Sequence, residues 1–99
     1  MTDEILHVKA GLANKEAMRV DELWFHCVRA VTDKEKSHYT ALAEIAEFRV
    51  KKWMYTAKRQ AEESGWQDQK LVEDYAQVMQ HEKSIRDNVL DMKMAIKSA

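Results

Sequence analysis

The chain of 99 residues contains no proline, two glycines (Gly11 and Gly65) and one cysteine, Cys27. Strand-rich and loop-rich folds need turn residues at about every tenth position, so this scarcity argues against them. A lone cysteine excludes an internal disulfide and a thiolate metal cage within one chain, and it fits a reducing compartment. No apolar run approaches bilayer-spanning length. The opening residues MTDEILHV carry two acids where a secretory leader carries basic residues. These features predict a cytoplasmic protein with no membrane partner. An excess of either charge is lacking too: 16 Lys and Arg stand against 17 Asp and Glu, for a formal charge of −1. Such a balance disfavours wholesale electrostatic binding to nucleic acid, and equally an acidic mimic of it.

The residues that remain are helix formers, chiefly Ala, Glu, Lys, Met, Gln and Leu. The expected fold is therefore all-α, one helical-bundle domain over residues 1–99. Its boundaries follow from the few marks available. Thr32-Asp33-Lys34-Glu35 reads as a capping box, in which the Thr32 hydroxyl accepts from the third helical amide and Glu35 reaches back. Gly65 followed by Asp68 reads as a helix stop and a new N-cap. The division is three helices at about 3–31, 33–64 and 68–98, with Gly11 and Asn14 as a point where the first could break. Because no glycine or proline separates the first two helices, one continuous helix of about sixty residues is the alternative.

Apolar residues alternate in steps of three and four through each segment, as in a coiled-coil seam. The first helix presents Leu6, Ala10, Ala13, Ala17, Val20, Trp24, Cys27 and Val31. The second presents Tyr39, Ala43, Ala46, Val50, Trp53 and Ala57. The third presents Leu71, Tyr75, Val78, Glu82, Ile85, Val89, Met92 and Ile96. Short connections make successive helices antiparallel, which sets Ala10 against Trp53, Ala13 against Val50 and Ala46 against Ile85. Large then meets small in each layer, as close packing requires. Glu82 alone puts a charge in the seam. The pairing heights assign Arg49, or failing it Lys51 or Lys52, to Glu82, Arg19 to Glu44 and Arg86 to Glu47.

No catalytic constellation is present, and no cofactor motif. Glu35-Lys36-Ser37-His38 has the Glu-x-x-His spacing of carboxylate metal bundles, and His26 and Cys27 could approach it across the first hairpin. Capping already explains Glu35, however, and a small core residue explains Cys27. His81-Glu82-Lys83-Ser84 has the look of a phosphotransfer histidine of helical domains, but the resemblance fails. Ile85, one turn on, stands where those domains need a small residue. The six methionines are best read as core and interface filler.

The clearest local bias lies in the second helix, where residues 48–59 hold five cations and no acid. Arg49, Lys51, Lys52, Tyr55, Lys58 and Arg59 are the candidate partner-binding residues. Their plain role is a solvated face; as a binding surface they suit an acidic protein ahead of nucleic acid, given the near-zero net charge. Second apolar stripes add to this: Met18 and Phe25, then Phe48 and Tyr55, then Val72, Met79 and Leu90. Helices of about thirty residues make a rod roughly 45 Å long, whose surplus apolar surface predicts a homodimer or a protein partner. The functional expectation is a non-enzymatic assembly, adaptor or regulatory protein. A nucleic-acid-binding regulator comes second and a metal-binding bundle third.

Overall fold

A computed structural model describes the backbone of residues 2–97 and the side chains of residues 11–96. The fold is an all-α bundle of three helices, α1 (Thr2–Arg29), α2 (Asp33–Glu63) and α3 (Gln69–Lys97). All three pack on one another, and the Cα rod measures 49 × 19 × 14 Å. No helix among the described residues is long and apolar enough to cross a membrane.

The punctuation acts through identifiable hydrogen bonds. Thr32 is extended (φ −106°, ψ 151°) and its hydroxyl accepts from the Glu35 amide at 3.2 Å. The return bond from the Glu35 carboxylate is not made, so the cap is one-sided. The extended residue rules out a continuous first and second helix. It also ends α1 at Arg29, two residues before the expected stop. Val31 consequently falls in the connection and is 90% exposed, although its heptad position continues the seam. At the second connection Gly65 takes the left-handed conformation (φ 65°), and so does Trp66 (φ 62°). The Gly65 amide donates to the Glu62 carbonyl and the Trp66 amide to the Ala61 carbonyl. Asp68 then caps α3, accepting from the amides of Lys70 and Leu71. Gly11 does not interrupt α1, which runs unbroken.

The core is the seam with additions. Ala13, Ala17, Val20 and Cys27 of α1, Ala43, Ala46, Val50 and Ala57 of α2, and Leu71, Val78, Ile85, Val89 and Met92 of α3 are all buried. Trp24, Tyr39 and Trp53 are partly buried and pack against this cluster. The side chains of Leu6 and Ala10 lie outside the described residues. Leu23, Thr40, Ala61 and Asp74 are buried beside the seam, because a helix with two neighbours buries a wider stripe than a two-stranded seam requires. The interior residues of α2 are mostly alanine, which lets its backbone approach α1 and α3 while those helices supply the bulk.

Three polar contacts fix height and direction. Arg49 of α2 donates to Glu16 of α1 at 2.9 Å. Asn88 of α3 donates to Asp21 of α1 at 2.7 Å, and Lys93 of α3 lies 3.5 Å from Glu44 of α2. The expected ion pairs are thus redistributed: Arg49 meets Glu16 instead of Glu82, and Glu44 meets Lys93 instead of Arg19. Arg86 approaches Glu82 on its own helix, at 4.0 Å, instead of Glu47. Arg49 sits on the edge of α2 that faces α1, while α3 lies along the other edge, so its guanidinium has no path to Glu82.

Candidate interaction surface

At the first hairpin, where the residue spacing suggests metal chemistry, the side chains do not come together. Cys27 is fully buried, with its thiol 3.8 Å from the Thr40 hydroxyl and 3.7 Å from the Lys36 carbonyl. His26, one position earlier, turns outward by the helical step and stacks on Tyr39 at 5.7 Å between ring centroids. His38 tilts against the same Tyr39 ring at 5.6 Å. Glu35 is exposed at the start of α2. His26, Cys27, Glu35 and His38 therefore do not converge, and no group of three or more His, Cys, Asp or Glu among the described residues is placed to hold a metal. The end of the hairpin is instead an aromatic cap, completed by Arg29 lying 3.9 Å over the Phe25 ring.

The basic segment of α2 divides. Arg49 leaves it, pointing across to Glu16. Lys52, Tyr55, Lys58 and Arg59 are exposed and Lys51 is half-buried. None of the four remaining cations takes part in a salt bridge among the described residues; Lys52 lies 6.0 Å over the Phe48 ring. The contacts of Arg49 with α1 and of Glu44 with α3 define the two inner edges of α2. Between them, facing away from both neighbours, runs a row at helical spacing: Ala41, Ile45, Phe48, Lys52, Tyr55 and Arg59. Its large apolar members are open to solvent, with Phe48 68%, Tyr55 58% and Ile45 54% exposed. Ala41, Ile45, Phe48 and Lys51 border an open depression together with Glu44 and Glu47.

This row extends the sequence expectation by two residues, Ala41 and Ile45. Ile45 escapes a search for charge bias because it precedes the basic stretch. Its signal is the repeat of steps four, three, four and three that links Ala41 to Tyr55 through Phe48 and Lys52.

The outer faces of α1 and α3 are also open to solvent and mix both charges, with Lys15, Arg29 and Lys83 exposed among the acids. The Asp21–Asn88 hydrogen bond sets the two helices level. Met18, Glu22 and Phe25 of α1 and Asp87, Leu90 and Asp91 of α3 are all exposed around that level. Glu22, Asp87 and Asp91 form no salt bridge among the described residues.

One buried polar group is independent of these faces. Glu82 is 2% exposed in the layer between Val78 and Ile85, and its Oε1 atom accepts no hydrogen bond. The nearest cation, the Arg86 guanidinium, stands 4.0 Å away and is half in solvent.

No family model, curated protein or solved structure matches the chain.

Proposed function

We propose that the protein is a non-enzymatic assembly or adaptor module that acts through the outer face of α2, with self-association as its first use. The observation that carries this reading is the row from Ile45 to Arg59. Three large apolar side chains stand in solvent there, interleaved with cations that form no salt bridge among the described residues. Single exposed apolar residues are ordinary, whereas a contiguous apolar row rimmed by unspent charge is the composition of a docking surface. A cytoplasmic setting suits it, since the one thiol is buried and unpaired.

The test is a dilution series by sedimentation, run on wild type and on Phe48→Asp. Wild type is expected to associate at micromolar concentration and the variant to sediment as one ideal species of 11.6 kDa. Identical behaviour of the two removes α2 as the surface. Binding to nucleic acid is the second reading, favoured by the exposure of Lys52, Lys58 and Arg59 beside Tyr55. A steep salt dependence of duplex binding, lost in Lys52→Glu/Arg59→Glu, would put it first.

A further inference from the structure

The outer side of α2 changes sign along its length. Over residues 41–47 the only charges are the acids Glu44 and Glu47, whereas over residues 49–59 every charge is a cation. Glu44, Glu47 and Lys51 follow one another at steps of three and four on the edge beside α3. With Ala41, Ile45 and Phe48 they border the open depression. Tyr55 stands out from the same side, 58% exposed, as far beyond Phe48 as the small Ala41 lies before it.

We propose that a second copy of this chain docks here, α2 antiparallel on α2, about a two-fold axis at Phe48; this rests on the reading of α2 as the interaction surface. The two-fold turns the second helix end for end and keeps each edge against its equivalent. Phe48 then packs on its own mate, and Tyr55 of each copy meets the depression beside Ala41 of the other, large against small. Lys51 comes to the height between Glu44 and Glu47 of the second copy, and Lys52 lays its aliphatic stem along Ile45 there. Glu44 already lies 3.5 Å from Lys93. Neither Glu47 nor Lys51 forms a salt bridge among the described residues, so Glu47 to Lys51 is the ion pair that the dimer newly makes, twice.

The two-signed edge selects this occupant. A polyanion or a uniformly acidic protein that neutralised Lys51 and Lys52 would also press its charge on Glu44 and Glu47. A parallel pair would set Lys51, Lys52 and Arg59 each against itself. A reversed copy meets acids with cations and cations with acids. Such a contact is isologous and closes at two. One helix face from each molecule is a small interface, so micromolar association is expected.

The experiment is sedimentation across concentration for wild type, Lys51→Glu, Glu47→Lys, the equimolar mixture of those two variants, and Glu47→Lys/Lys51→Glu in one chain. Wild type is expected to reach a plateau at twice 11.6 kDa. Each single variant opposes like charges at two equivalent contacts and is expected to associate at least about tenfold more weakly. The mixture restores opposite charges at both contacts, as does the double variant, and each is expected to return to within about threefold of wild-type affinity. Circular dichroism checks the fold. Should a reversal unfold the chain, Lys51→Gln and Glu47→Gln are each expected to weaken the dimer, and the two together to lose little more than either alone. If Phe48→Asp dissociates the dimer while the single reversals behave like wild type, or the mixture associates no better than its components, the copies meet in another way. The proposal is then overturned and α2 stands as a surface. A mass that climbs past the dimer without a plateau overturns it likewise. So does a wild type that stays monomeric, and duplex binding lost in Lys52→Glu/Arg59→Glu then makes a polyanion the occupant. If Phe48→Asp and both reversals leave association unchanged, the α2 reading itself fails.

Discussion

Replacing Glu82 with leucine is expected to stabilise the protein. The side chain is 2% exposed, sits between Val78 and Ile85 in the seam, and leaves Oε1 without a hydrogen bond. A carboxylate in that position loses its hydration and regains little, because the Arg86 contact is long at 4.0 Å and half in solvent. An uncompensated buried polar group costs roughly 1–3 kcal/mol, and more where it is charged. Leucine has similar bulk and extends the apolar run, as when a buried ion pair is exchanged for packed hydrocarbon with a gain of about 1–4 kcal/mol. A net stabilisation of roughly 1–3 kcal/mol follows, and in a domain of this size each kcal/mol is worth about 4–8 °C in Tm. Urea or thermal unfolding at fixed protein concentration measures it. Arg86→Leu is expected to lose about 1 kcal/mol or less, and the double variant to behave like Glu82→Leu alone, since Arg86 then has nothing to offset. A Glu82→Leu protein that folds but melts several degrees below wild type would refute the reasoning, showing that the carboxylate repays its burial. A charge is tolerated in a seam where it fixes register, so sedimentation of the leucine variant should accompany the melt.

Three further outcomes test the elements around the surfaces. A Cβ on Gly11 meets nothing within 4 Å and the backbone there is helical, so Gly11→Ala should raise stability by about 0.5–1 kcal/mol, visible as a higher urea midpoint. Thr32→Ala removes the hydroxyl that accepts from the Glu35 amide and should lower stability by about 1 kcal/mol, with Thr32→Ser recovering most of it. Cys27 is fully buried; a thiol reagent should label it at least about a hundredfold more slowly in the native protein than in denaturant, at a rate set by opening of the bundle. Native labelling as fast as that of a free thiol would place Cys27 outside the core.

Much of the architecture was readable because local chemistry and period agree. Thr32, Gly65 and Asp68 end or begin helices through bonds that their own side chains or backbone freedom permit, and the three-four alternation put Ala13, Val50 and Ile85 in the core. The failures have two physical origins. Val31 kept the period beyond the point where the Thr32 cap had already stopped the helix, so the cap prevailed over the pattern. The ion pairs failed for another reason. A heptad gives the height of a residue along the rod and says nothing of the side on which the third helix lies. Arg49 stands at a height open to both Glu16 and Glu82, and only the lateral placement of α1 and α3 chooses between them.

The same limit governs the surfaces. A balance of 16 cations to 17 acids reads, in the sequence, as a molecule with no electrostatic preference. The fold sorts those charges. Lys52 and Arg59 come to lie on the outer face of α2 beside the exposed Ile45, Phe48 and Tyr55, while Arg49 and Glu44 turn to the neighbouring helices and pair with Glu16 and Lys93. Net charge sums over a surface, whereas a docking partner senses a face. Near-neutrality is therefore no argument against a charge-steered contact in this protein.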